Sequence, residues 1–281
     1  MSVEPRGDVT EDDFSDIPRA PTQAAWDAMT DAQRAAVVET LPDYISWEEI
    51  GMPEGDPHFN AKRDTADVIR GFFQRVGRGV YVGVELAVYY PDEPRFSPDV
   101  FVALDVEDRE RMKWVVSAEG KGLDLALEVL VAGRRKKDNE TNVSRYARLG
   151  IPEYFVYDHR RATVRGWRLP SSGARVYEPI AVRSGRLRSE VLGLDIAVVQ
   201  RRLRFFYGNA ELRTLSEIVE RLETQVEDLS GAVEDERTRA DEERTRADEE
   251  RTRADEERAA REAAEAQVAA LREEIERLRS R

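Results

Sequence analysis

The chain has 281 residues, of which 41% are hydrophobic, and this content is sufficient for a substantial core. It contains no cysteine, which excludes disulfides and thiolate metal sites. No apolar run approaches the length of a membrane span, and the acidic N-terminus differs from a signal peptide, so we expect a soluble, cytoplasmic protein with no membrane partner.

The formal net charge of -13 is unevenly distributed along the chain. Residues 1–57 hold 14 acids and 3 bases, residues 58–210 hold 20 acids and 27 bases, and residues 211–281 hold 23 acids and 14 bases. The middle section is therefore basic, with a net charge of +7. This charge would fit a polyanionic partner, because phosphate contacts dominate nucleic-acid affinity. A simple excess of scattered surface arginines is the alternative.

The first 57 residues precede the main domain. Residues 1–21 are polar, acidic and aperiodic, which predicts a disordered N-terminus. Residues 22–57 are predicted to form a short helical extension, in which Thr22 or Thr30 caps a helix.

Residues 58–210 have the pattern of a mixed α/β domain. A helix is predicted over 59–76, with Asp56 as its N-terminal cap and Gly77 as its stop. Its apolar periodicity then changes, and the remaining elements are strands at 80–90, 99–104 and 125–131, a helix at 138–149 capped by Asp138, and a strand at 152–158. The order αβββαβ predicts one mixed sheet, followed by a hairpin-rich extension.

Two of the apolar strands each carry one carboxylate, Asp99 and Glu128. An ionised carboxylate among apolar residues is costly unless it is compensated, and a metal ion is the usual compensator. A basic turn at 133–138 follows the second strand. Two acids and then a base on neighbouring strands and the following turn predict a metal-dependent phosphodiesterase site. Salt-bridged structural acids are the alternative.

In such a site the acids would hold Mg²⁺ (or Mn²⁺), and a lysine would stabilise the developing charge. The base is expected two residues after the second acid, on the same strand face, but that position is Leu130. Lys137 in the basic turn is our first candidate for the base, because a lysine stem can fold back towards the strand end. Lys136 is the second candidate.

Two further residues are candidates for the same site. Glu85, on the preceding predicted strand, is either a third acidic metal ligand or an edge-pairing residue. His58, at the start of the first long helix, either contacts phosphate or is an ordinary surface histidine.

Several stretches also carry a family resemblance, namely residues 97–100 (Ser-Pro-Asp-Val), 127–130 (Leu-Glu-Val-Leu), 137–138 (Lys-Asp) and 146–155 (Tyr-Ala-Arg-Leu-Gly-Ile-Pro-Glu-Tyr-Phe). With them the segment 56–207 resembles the Uma-two family of restriction endonucleases, within the PD-(D/E)XK superfamily. The resemblance implies a restriction-endonuclease-like fold, a divalent metal held by Asp99 and Glu128, and DNA cleavage.

The chain departs from this family at the lysine. Many relatives carry a lysine four residues before the helix tyrosine, and here Asn142 stands four residues before Tyr146. Asn142 and Tyr146 are then predicted to orient groups of the site, although Tyr146 also fits a core position. A nuclease fold that has lost catalysis and acts as a nucleic-acid-binding or scaffold protein is the alternative function.

Residues 211–281 form a different kind of segment. Apolar residues hold one heptad register from Val219 to Leu278, and the unit Arg-Thr-Arg-Ala-Asp-Glu-Glu occurs three times in succession over 237–257. Such a register predicts a long C-terminal coiled-coil helix and a homodimer. Glutamates occupy the d positions of the repeats, so a solvated spacer helix is the alternative.

Overall fold

The computed structural model describes residues 17–44, 55–131 and 136–279, except for the side chains of residues 136–140 and 279. The chain divides into two compact units between Leu215 and Ser216. Most of the N-terminus predicted to be disordered, residues 1–21, lies outside the described residues. Within its described part, Arg19 and Ala20 form β-bridges with Pro94 and Pro91.

The first unit contains five helices and thirteen strands among its described residues. The helices are α1 (Gln23–Asp27), α2 (Asp31–Thr40), α3 (Asp56–Val76), α4 (Val116–Glu119) and α5 (Lys136–Arg148). The strands are β1 (Val80–Val84), β2 (Ala87–Tyr89), β3 (Val100–Leu104), β4 (Lys113–Val115), β5 (Leu125–Leu130), β6 (Glu153–Asp158), β7 (Thr163–Arg168), β8 (Glu178–Pro179), β9 (Val182–Arg183), β10 (Arg186–Ser189), β11 (Leu194–Val199), β12 (Arg202–Tyr207) and β13 (Ala210–Glu211).

The helix ends agree in part with the sequence predictions. Thr22 and Thr30 cap α1 and α2 through their side chains, as predicted. Gly77 ends α3 in the left-handed conformation, with φ +69°. The prediction that Asp56 caps α3 is wrong, because Gly55 holds the cap position and Asp56 is the first helical residue. Likewise α5 begins at Lys136, so Asp138 lies inside the helix instead of capping it.

The central sheet has six strands in the order β1-β3-β5-β6-β7-β8. Its pairs are antiparallel except for β5 and β6, which are parallel and are connected by the crossover helix α5. Five further strands, β9 to β13, form a second antiparallel sheet. The prediction of a mixed α/β core with a hairpin extension is therefore confirmed.

One predicted strand is interrupted. The sequence predicts a single strand over 80–90, but Glu85 has a φ of +50°, and a left-handed residue cannot continue a strand. β1 therefore ends at Val84 and pairs with β3, whereas β2 pairs in parallel with β4. The interruption lies at one of the candidate site residues.

The two long helices of the first unit cover opposite faces of the central sheet. Ile69 and Phe73 of α3 share one buried cluster with Leu127 of β5 and with residues of the second sheet. Tyr146 of α5 belongs to a separate buried cluster on the other face, together with Ala126. Alternate residues of β5 thus face α3 and α5.

The second unit is almost entirely the helix α6 (Leu215–Arg279), which has 65 residues. At 1.5 Å per residue such a helix is about 98 Å long. The apolar residues at the predicted a and d positions of its two ends are exposed along it, namely Val219, Leu222, Val226, Leu229, Val233, Val268, Leu271, Ile275 and Leu278. No helix among the described residues is both long and apolar enough to cross a membrane.

Candidate metal centre

Asp99 and Glu128 lie side by side because of the register of two strands. β3 and β5 are antiparallel with Val100 opposite Leu127, which brings the preceding residue, Asp99, opposite Glu128. Both acids are buried, each with about 6% of its surface exposed. The Asp99 amide lies 3.5 Å from Oε2 of Glu128. The sequence prediction that these acids share one site agrees with this geometry.

One oxygen of Asp99 is closely surrounded. The Val129 amide donates to Oδ2 at 2.7 Å, and His58 Nε2 lies 3.1 Å from the same atom. Burial is the largest influence on the pKa of Asp99 and raises it, but His58, the Val129 amide and Glu128 together outweigh burial and hold the pKa below its ordinary value. Asp99 is therefore set up to be an anion at neutral pH.

Glu128 is held from the other face of the sheet. The Tyr146 hydroxyl of α5 donates to Oε1 of Glu128 at 2.9 Å. The tyrosine is buried, and burial and the Glu128 charge raise its pKa well above the ordinary value, so the hydroxyl keeps its proton and stays a donor. Tyr146 is a core residue, and its orienting role stays a prediction with which this hydrogen bond is compatible.

A third group of side chains joins the site from α3 and from the strand interruption. His58, Glu85 and Asp99 each offer one ligand atom, and these atoms lie within 4.8 Å of one another. Glu85 forms an ion pair with the Lys62 ammonium, and its backbone amide donates to the Asp99 carbonyl at 3.2 Å. His58 is buried, so the interpretation of it as a surface histidine is wrong.

The positions predicted for a base differ in what surrounds them. Leu130 packs against the apolar cluster on the α5 side. Asn142 lies near the Tyr154 hydroxyl. Burial and the charge of Glu128 raise the pKa of Tyr154 well above its ordinary value, and the interaction with Asn142 only partly opposes this rise. Lys136 and Lys137 form the first residues of α5, and their side chains lie outside the described part of the structure.

Lys62 is the site residue that the sequence reasoning missed. It stands four residues after His58, and both side chains lie on the buried face of α3. Only about 7% of the Lys62 side chain is exposed. Helical spacing from Ile69 and Phe73 places position 62 on the same face, which is the one signal of this position that the sequence contains.

The donor set fits a divalent cation. Two buried carboxyl groups at opposite positions on paired strands repel each other when both are ionised, and a nearby positive charge relieves this repulsion. Carboxylate oxygens are the preferred ligands of Mg²⁺ and Mn²⁺, and the His58 nitrogen adds a ligand that transition ions accept. The converging ligand atoms belong to His58, Glu85 and Asp99, and Glu128 lies opposite Asp99 on the neighbouring strand.

The mixed sheet pairs β5 and β6 in parallel through the crossover helix α5, and Asp99, just before β3, lies opposite Glu128 within β5. The family model of Uma2, described as "Putative restriction endonuclease", matches residues 47–199, which is more than half of the chain. The chain therefore belongs to the Uma2 family.

Comparison with solved structures gives a more distant likeness. A crystal structure from Anabaena variabilis ATCC 29413, titled as a "putative nuclease belonging to DUF820", aligns with a TM-score of 0.40 and 14% identity. The alignment covers 50% of this chain and 76% of that chain. No curated protein matches this chain.

Proposed function

We propose that this protein is an endonuclease that hydrolyses phosphodiester bonds in DNA with the aid of Mg²⁺ or Mn²⁺. The observation that carries the proposal is the juxtaposition of two buried acids on paired strands, with the Asp99 amide 3.5 Å from Oε2 of Glu128. Membership of the Uma2 family supports the same class of reaction.

The residues of the chain have distinct roles in this proposal. Asp99 and Glu128 hold the cation, and Tyr146 keeps the Glu128 carboxylate oriented through its hydrogen bond. His58 and the Val129 amide fix one oxygen of Asp99, so that the carboxylate is in place before a ligand arrives. When bound, the ion supplies an activated water and neutralises charge on the phosphate.

The presence of a histidine bears on which metal is preferred. Mg²⁺ is bound almost entirely by oxygen, whereas Mn²⁺ accepts oxygen and imidazole nitrogen. His58 Nε2 lies within the same group of ligand atoms as Asp99. We therefore expect Mn²⁺ to support at least as much cleavage as Mg²⁺.

The experiment is a plasmid-nicking assay on purified full-length protein, with Mg²⁺, with Mn²⁺ and with EDTA. Cleavage should require the metal, and Asp99→Ala should abolish it, because the variant removes one of the two central carboxylates. Asp195→Ala is the matched control. This variant also removes an aspartate that contacts a basic residue, Arg188, but Asp195 lies on β11 of the second sheet and is not one of the candidate site residues. Nicking that persists in Asp99→Ala would contradict the proposal.

The non-catalytic alternative is favoured by one specific observation. Leu130 packs among apolar residues, and Asn142 is neutral, so neither position that relatives use for a lysine carries a charge. A protein that binds DNA but does not nick it with either metal would establish this alternative. The sequence candidate for the cation, Lys137, stays a prediction, and Lys137→Ala tests it in the same assay.

A further inference from the structure

We propose that Lys62 supplies the positive charge of the active site, from the helix α3 in place of strand β5 or helix α5. This inference rests on the proposed nuclease function and adds one residue to it. Lys62 would contact the scissile phosphate or the attacking water, and its charge would stabilise the additional negative charge of the transition state.

Lys62 lies close to the candidate metal ligands. His58 and Lys62 are one turn apart on the buried face of α3, and His58 Nε2 lies 3.1 Å from Asp99. The Lys62 ammonium is bound to Glu85, whose ligand atom is within 4.8 Å of those of His58 and Asp99. The ammonium therefore contacts one candidate metal ligand directly, and the ligand atom of that residue lies within 4.8 Å of those of the other two.

The burial of the Lys62 ammonium is a second observation that supports this role. Taking a lysine ammonium out of water is costly, and a lysine stem is normally long enough to reach solvent. Here the Lys62 side chain is about 7% exposed, although its partner Glu85 is about 41% exposed. A pair between a buried base and a half-exposed acid contributes little to stability, because the desolvation of the base offsets the attraction. Stability alone therefore gives little reason to keep a lysine at this position.

The backbone conformation of Glu85 is a third observation that supports this role. Glu85 holds a left-handed φ of +50°, which is uncommon for a residue with a side chain. This conformation ends β1 and turns the glutamate side chain to Lys62, while the Glu85 amide donates to the Asp99 carbonyl. A strained residue that joins the base to the acid strand is a feature expected of a functional site.

The test compares single-turnover DNA cleavage with Mn²⁺ in the full-length wild type, Lys62→Met, Lys62→Arg and Lys137→Ala. Lys62→Met should cleave about 100- to 1,000-fold more slowly, the loss expected for one electrostatic stabiliser. Lys62→Arg keeps the charge and should retain more activity than Lys62→Met. Lys113→Met is the matched control, because this lysine is bound to the Leu41 carbonyl, and it should cleave like the wild type.

A second readout separates catalysis from structure. Mn²⁺ binding, measured by calorimetry without DNA, should be unchanged or tighter in Lys62→Met, because a positive charge is removed and Glu85 is released. A purely structural lysine would instead lose Mn²⁺ binding together with cleavage. Lys62→Gln, which keeps a polar side chain, serves for both measurements if Lys62→Met does not fold.

The outcomes distinguish this inference from the proposed function. If the wild type cleaves and Lys62→Met cleaves at the same rate, only the role of Lys62 is overturned, and a slow Lys137→Ala variant would assign the charge to Lys137. A parallel loss of Mn²⁺ binding and cleavage in Lys62→Met overturns it as well. If the wild type does not cleave with any metal, both the proposed function and this inference fail.

Discussion

Tyr146 links the two functions of a buried aromatic residue, packing and orientation. Its ring lies in an apolar cluster with Phe96 and Tyr154, and its hydroxyl reaches Glu128. The hydroxyl is a donor to a charged acceptor, and such hydrogen bonds are stronger than neutral ones. In the proposed metal site, the residue would therefore act on the ion through Glu128 without contacting it.

We predict that Tyr146→Phe weakens Mn²⁺ binding by about 10- to 100-fold, the usual effect of losing a group that orients a ligand. The ring and its packing are preserved, so the fold should be retained. Tyr177→Phe is the control, because the Tyr177 hydroxyl, in the same cluster, donates at 2.7 Å to the Ile151 carbonyl. Calorimetric titration measures both variants, and equal affinities would contradict the role of Tyr146.

At the scale of single residues, the sequence predicted that Asp99 and Glu128 lie together, but it did not predict the buried side chains near them. Asp99 and Glu128 are recognisable because a charge in an apolar strand is unusual. The burial of His58 and Lys62 depends on how α3 packs against the sheet, and a polar residue near a helix start is ordinarily exposed. The spacing of Lys62 from Ile69 was informative, but its charge argued against a buried position.

At the scale of elements, the pairing of β1 with β3 depends on a glycine. Gly83 lies opposite Phe101, and a Cβ atom at position 83 would come within 2.2 Å of the Phe101 ring. Phe101 is fully buried and is two residues from Asp99 on the same strand face. The glycine thus leaves room for the ring beside the acid strand.

We predict that Gly83→Ala lowers the free energy of unfolding by about 1–3 kcal/mol, as overpacking of a core does. Gly173→Ala is the control, because among the described residues no heavy atom other than those of its chain neighbours lies within 4 Å of the position its Cβ would take. Urea denaturation of both variants gives the comparison. If the two variants unfold at the same denaturant concentration, the packing argument is wrong.

The elements themselves were predictable to different degrees. The order αβββαβ follows from periodicity, because buried strands and amphipathic helices have different patterns. The division of the predicted strand 80–90 at Glu85 was not predictable, since a glutamate in the left-handed conformation has no sequence signature. The start of α5 two residues before Asp138 was missed because a good cap residue can also occupy the first turn.

For the whole molecule, we predict that α6 makes the protein a homodimer. The apolar a and d residues at both ends of this helix are exposed in a single chain, and pairing with a second copy would bury them. Two sites on one dimer would suit cleavage of both DNA strands. Sedimentation of the full chain at micromolar concentration should give a dimer, and deletion of residues 216–281 should leave a folded monomer.

A monomeric full-length chain would contradict this prediction and favour the spacer helix. The register of the apolar ends was readable from the sequence, because a heptad repeat is a local pattern. Whether the helix pairs with a second copy was not readable from the sequence, because a solvated helix and a coiled coil share much of the same composition in the central repeats.

We also predict that DNA binding is carried by residues 58–210, which have a net charge of +7. Binding should weaken steeply as salt is raised, because the release of counterions from DNA contributes most of the affinity. Deleting residues 216–281 should not weaken binding, since the tail is acidic. Fluorescence anisotropy at several salt concentrations measures both effects, and binding that is independent of salt would contradict the prediction.

The three consecutive repeats in α6 have a consequence for how this helix can change in evolution. Each repeat has seven residues, so gaining or losing one unit changes the helix length by about 10.5 Å. Seven residues are nearly two full turns, and the two apolar ends would keep nearly the same relative orientation. Duplication of the 21-nucleotide unit that encodes each repeat can therefore lengthen the helix in fixed steps without a change in either end.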